Sequence, residues 1–122
     1  MSKGGSPDLP IGVAVVDWKA PPIPLAAALQ GDYARVEPLD LATHSDSLFA
    51  AFAQDRAEQG WTYMGYGPFV DKPQFDEWLV GSCLGADPMF FSILEQSSGT
   101  ALGMASFMNI NPAGGSIEVG NI

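Results

Sequence analysis

From Met89 onward the chain alternates strand-forming runs with turn sequences too short to allow anything but antiparallel return. Met89-Phe-Phe-Ser-Ile-Leu94 is a strand pattern, Ser97-Ser-Gly99 a turn, and Ala101–Ile110 a longer strand pattern. Pro112-Ala-Gly-Gly115 is a second turn, and Ser116–Ile122 a third strand pattern. Parallel strands would need crossover connections of a dozen residues or more, so this stretch predicts an antiparallel meander. The last pattern reaches Gly120-Asn-Ile122 with no turn, helix or polar tail behind it. A strand left open in this way carries the expectation that something further completes or pairs with the sheet.

The residues before the meander read as one strand and two helices. Tyr33, Arg35 and Glu37 alternate with Ala34 and Val36, the period-2 pattern of a strand, and Pro38 ends the pairing. Leu41, Leu48, Phe49 and Phe52 then recur at helical spacing. That spacing predicts a helix over 44–56 with Thr43 or Ser45 as N-cap. Trp61-Thr-Tyr-Met-Gly-Tyr-Gly-Pro-Phe69 is a glycine- and aromatic-rich loop. Asp71, with Gln74 three residues later, predicts a capping box opening a second helix whose buried face is Phe75, Trp78, Leu79 and Val80. The fold class is therefore α+β, a mostly antiparallel sheet in the order strand, helix, helix, strand, strand, strand.

Residues 1–30 form a separate region. Five prolines (Pro7, Pro10, Pro21, Pro22 and Pro24) remove backbone donors throughout it. Yet Ile11–Val16 and Trp18 are too apolar for a free linker. Two readings stand: an extended arm that packs over the body or a partner, or a disordered terminus. The compact domain is expected over 31–122.

A net charge of −9, from 14 acidic and five basic residues, argues against binding nucleic acid or an anionic membrane surface, which requires Lys and Arg gathered on one face. The same acidity also serves plain solubility. The apolar run Leu9–Val16 is too short to span a bilayer and contains Pro10. It lacks the basic flank and cleavage site of a secretory leader. Cys83 is the only cysteine, so no internal disulfide is possible, and a cytoplasmic setting is expected.

With that element order, three segments resemble the first half of the GNAT superfamily of acyl-CoA-dependent N-acetyltransferases, nearest the branch of the ribosomal-protein N-terminal acetyltransferases. Arg35-Val-Glu-Pro-Leu-Asp40 is similar to that branch's first strand and the turn into its first helix. Trp61–Phe69 is similar to its aromatic loop between helices. Ala101-Leu-Gly-Met-Ala-Ser106 with Ile117-Glu-Val-Gly120 is similar to its third and fourth strands. The resemblance implies transfer of an acetyl group from acetyl-CoA to a primary amine, on a small molecule or a protein N-terminus. After the fourth strand the family places a loop of the form Gln/Arg-x-x-Gly-x-Gly/Ala at a helix N-terminus, whose N–H groups hold the cofactor pyrophosphate. The chain ends before such a loop, so the resemblance also implies a truncated domain.

What the resemblance implies for the site can be set out residue by residue. Glu118 would accept the amine proton, or else it is an ordinary solvated strand residue between Ile117 and Val119. The backbone of Val119, Gly120, Asn121 and Ile122 would pair with the pantetheine arm of the cofactor. Gly120 either permits that close approach or marks a bulge. Trp61, Tyr63, Tyr66 and Phe69 would line the acceptor pocket, or else fold back as a lid on the core. No metal site is expected, since the single histidine, His44, has no cluster of ligands around it. Against the enzyme stands a second hypothesis, a non-catalytic module that forms homo-oligomers through the exposed edge of the last strand.

Overall fold

The computed structural model describes residues 8–122. Five antiparallel strands lie in chain order across one sheet: β1 (Leu29–Gln30), β2 (Ala34–Pro38), β3 (Met89–Glu95), β4 (Ala101–Asn111) and β5 (Ser116–Gly120). The helices α1 (Leu41–Phe52) and α2 (Lys72–Trp78) come between β2 and β3. The meander pairs Phe90 with Ser106 and Ser92 with Met104, then shifts register between Ile93 and Leu94. On the far side of β4, Phe107 pairs with Val119 and Ser106 with Gly120.

The α+β order expected from the sequence is present, with one strand more. β1 pairs Leu29 with Val36 and Gln30 with Arg35, so the sheet recruits the last residues of the proline-rich region. Gln96 fastens this hairpin, its backbone N–H donating to the Tyr33 carbonyl and its side-chain amide to that of Gly31. Residues 8–28 contain no helix or strand, and Ile11, Val13, Val15 and Val16 are exposed. Trp18 is half exposed, and its ring lies against Gly115 in the β4–β5 turn. Residues 1–7 of the expected arm lie outside the described residues.

α1 starts three residues earlier than its apolar spacing predicts and stops at Phe52. The cause is Asp40, an extended residue whose carboxylate accepts from both the Thr43 N–H and the Thr43 hydroxyl. An aspartate at N-cap satisfies a free N–H of the first turn, so it fixes the start ahead of Thr43 or Ser45. Asp71 caps α2 through the Gln74 N–H, and the Gln74 side chain accepts in return from Val70 rather than from the cap residue. Beyond Trp78 the helix continues as a π-turn over Leu79–Cys83.

The core lies between the helices and one face of the sheet. Leu39, Leu48, Phe75, Leu79, Cys83, Phe90, Leu94, Ala101 and Met104 form it, with Phe49, Phe52, Phe69 and Trp78 packed alongside. Phe91, next to Phe90 on β3, points to the other face, where it meets Phe107 edge-on at 5.6 Å. Phe75 touches Phe49, Phe52, Phe69 and Trp78 with ring centroids 5.5–5.9 Å apart. No helix among the described residues is long and apolar enough to cross a membrane.

Candidate functional site

A cavity of about 320 Å³ opens where the C-terminal end of α1, the aromatic loop and the ends of β4 and β5 converge. Its size falls at the lower end for small-molecule sites. Trp61, Met64 and Tyr66 come from the loop, Trp78 from α2, and Phe90 and Met104 from the sheet. Asn121 and Ile122 close it beyond the end of β5. The loop holds its shape by ring contact: Trp61 lies edge-on to Phe52, Tyr66, Phe69 and Trp78, while Tyr66 stacks on Trp78 at 4.5 Å. Gly67 lies in the left-handed region (φ +69°), and a Cβ there would strike the Trp61 ring at 2.5 Å, so the bend requires glycine.

The end of β5 is shaped by a polar chain. Tyr66 donates its hydroxyl to Asn121 Oδ1 at 2.8 Å, and Asn121 Nδ2 donates to Ser106 Oγ at 2.9 Å. Ser106 Oγ in turn donates to the Gly120 carbonyl at 3.1 Å. Asn121 itself has a positive φ of 54°, which asparagine tolerates better than most residues, and the strand leaves its ladder there. At Gly120 a Cβ would approach the sulfur of Met108, two residues along β4 from its ladder partner Ser106, to 2.5 Å, so a larger residue would displace the Met108 side chain. Burial pushes the Tyr66 phenol above its ordinary range, with the Cys83 thiol adding to the effect, so the hydroxyl remains a donor.

The structure therefore gathers Trp61, Tyr66, Asn121 and Ile122 of the nominated residues around one cavity. Phe69 sits behind it, packed on Phe75 and Trp78. Tyr63 is 98% exposed and points away. Val119 is exposed on the opposite side of β5 from Gly120, as strand alternation requires. Glu118 lies outside the cavity lining; its carboxylate accepts from Asn109 Nδ2 at 2.7 Å. It shares a strand face with Gly120, whose Cβ position is 3.8 Å from Glu118 Oε2. Met64, Trp78 and Asn121's partner Ser106 were not singled out by sequence; only the helical spacing of Trp78 hinted at burial.

Two polar sites elsewhere serve the fold. His44 is buried, its Nδ1 accepting from the Asp40 N–H and its Nε2 meeting Glu37 Oε1 at 2.6 Å. A backbone N–H can only donate, so the ring proton sits on Nε2. The Arg35 guanidinium, and after it His44, hold the Glu37 carboxyl below its usual range. Cys83 is buried among the core side chains, and that burial pushes its thiol up to about 12. Such a thiol is unreactive at neutral pH. Among the described residues no three His, Cys, Asp or Glu gather to hold a metal ion.

The Gln-x-x-Gly-x-Ala pattern does occur, as Gln96-Ser-Ser-Gly99-Thr-Ala101. It forms the β3–β4 turn, with Gln96 tied to the β1–β2 hairpin and no helix behind it. It is a hairpin and not a pyrophosphate cradle, since the cradle depends on a helix N-terminus.

No protein-family model matches the sequence, and no curated protein does. Solved structures do match. A GCN5-related N-acetyltransferase from Brucella melitensis superimposes with a TM-score of 0.83 at 36% identity, covering 88% of this chain and 48% of that one. A probable acetyltransferase of the GNAT family from Chromobacterium violaceum superimposes at 0.80 with 29% identity, covering 97% and 59%. Fold and sequence likeness together define the class: the curled antiparallel sheet with two helices on one face is the acyl-CoA N-acyltransferase fold. The chain belongs to the GNAT superfamily. It spans about half the length of the solved relatives it matches.

Proposed function

We propose that this protein acts in an N-acetyltransferase that moves an acetyl group from acetyl-CoA to a primary amine, in the cytoplasm. The likeness to two GNAT acetyltransferases carries the reading. The aromatic loop between its helices supports a place near the branch acting on ribosomal-protein N-termini. The amine nitrogen attacks the thioester carbonyl, a C–N bond forms and the C–S bond breaks. The amine's proton passes through water to Glu118, and the thiolate leaves and takes up a proton. The backbone of Val119, Gly120, Asn121 and Ile122 would meet the pantetheine arm, a reading supported by the chain leaving its ladder at Asn121.

No α-helix begins among the residues lining the cavity. The backbone beyond β5 would therefore hold the pantetheine and thioester end of the donor rather than its pyrophosphate, with the acceptor in the cavity beside it. The test supplies acetyl-CoA, and separately S-acetylpantetheine, with a panel of primary amines, and follows release of free thiol. Amine-dependent release from either donor supports the proposal. Release from neither, with the protein folded by circular dichroism, overturns it.

A second reading has its own observation. β5 lies at one edge of the sheet, and Ile117 and Val119 stand 46% and 58% exposed on it. An open apolar edge is a template for a further strand, and a homo-oligomer joined there is the alternative function. Sedimentation as a monomer at micromolar concentration would eliminate it.

A further inference from the structure

The cavity lining distinguishes among amines, an inference that rests on the acetyl-transfer reading. Its walls are Trp61, Met64, Trp78, Phe90 and Met104, and it contains no Lys, Arg or His. Two of its three polar side chains are already engaged, Tyr66 with Asn121 and Asn121 with Ser106. The third is Asp55, whose carboxylate accepts the N–H groups of Gln59 and Gly60. Those two bonds fix the carboxylate beside the cavity, and a carboxylate still has lone pairs to spare.

Each feature excludes a kind of ligand. A mostly apolar wall offers few partners to a further hydroxyl or second amine that enters it, and a buried polar group without a partner is costly. A negative charge with no cation in the same lining repels carboxylates and phosphates and attracts ammonium. Tyr66 stacks on Trp78 and Trp61 stands edge-on to it, so the aromatic walls add apolar contact area rather than an open stacking slot. We propose that the acceptor is a small primary amine on an apolar body without acidic groups, and that Asp55 acts as the charge filter of the cavity. Polyamines, amino sugars and free amino acids are then poor acceptors.

Two independent readouts test this. Trp61 and Trp78 both line the cavity, so quenching of tryptophan fluorescence reports occupancy without any acetyl donor. Three probes are compared: 2-phenylethylamine, 3-phenylpropionate and spermidine. 2-Phenylethylamine should bind at least ~10-fold more tightly than either of the others, the discrimination an apolar pocket readily gives. Met64→Trp, which fills the cavity, should weaken that binding by about tenfold with circular dichroism unchanged. Asp55→Asn should bring the carboxylate probe close to the amine in affinity. Spermidine binding as well as 2-phenylethylamine, or being acetylated faster, overturns the proposal and leaves acetyl transfer standing. Thiol release from no amine, with the expected binding order intact, overturns acetyl transfer and leaves the cavity's preference standing.

Discussion

Two carboxylates on two strands of the same sheet have been given opposite work. Glu37 on β2 is covered by α1, held by Arg35 on one side and by His44 on the other, and His44 is itself locked by the Asp40 N–H. Every partner in that junction is spent on seating the helix on the sheet. Glu118 on β5 is exposed, has the Asn109 amide as its partner, and lies three residues before Asn121, where the chain bends away. The difference is location: a covered carboxylate must be fully paired to exist, while an edge carboxylate keeps acceptor capacity for a guest. Register puts both carboxylates on one face of the sheet, three strands apart, one of them enclosed by a helix and the other left to solvent.

The contrast breaks first if Glu118 can be neutralised without effect. Glu118→Gln should lower kcat/KM by about 10²–10⁴-fold, the usual worth of a general base, with the melting temperature unchanged. Unaltered turnover would remove Glu118 from the chemistry. His44→Ala should do the reverse, costing about 2–3 kcal/mol of stability in urea titration because it strands Glu37 and the Asp40 N–H. Turnover per folded molecule should stay at the wild-type level.

Acid sharpens the same point. The Glu37 carboxyl lies below its ordinary value of 4.5 when folded, through Arg35 first and His44 second. Its contribution is therefore complete above that value and lost as pH falls through the lower folded one. Glu37→Gln should flatten the acid limb of the stability curve while leaving neutral-pH behaviour of the Glu118 side untouched. An acid limb of unchanged steepness would shift the burden to Asp40 and Asp76, whose carboxyls are lowered by Thr43 and Lys72 respectively. Smaller again, Tyr66→Phe should cost about 1 kcal/mol by removing the hydroxyl that holds Asn121. Smallest is Tyr63→Ala, expected within about 0.5 kcal/mol of wild type because the side chain is 98% exposed.

The fold was largely legible because its signals are local. Period-2 runs and Pro/Gly turns laid out the meander, and Asp71 with Gln74 marked α2. The start of α1 departs from its apolar spacing because Asp40 caps the helix four residues ahead of the first strongly buried position. β1 escaped notice because two residues carry no periodicity, and its pairing depends on Gln96, 66 residues beyond Gln30 in the chain. The site was legible only in part. Trp61–Phe69 stood out by composition, but nothing local separates Trp61 and Tyr66, which enter the cavity, from Tyr63, which does not. The Tyr66–Asn121–Ser106 chain joins residues 55 and 15 positions apart, and such contacts leave no trace in spacing.

Cys83 carries a practical consequence. The chain's lone sulfhydryl is sealed in the interior, with its ionisation suppressed. Disulfide reagents that count newly liberated coenzyme should meet almost no background from the polypeptide. A cysteine introduced at Tyr63 would offer labelling chemistry a single address on the loop, and a dye placed there would sense occupancy of the neighbouring hollow without entering it.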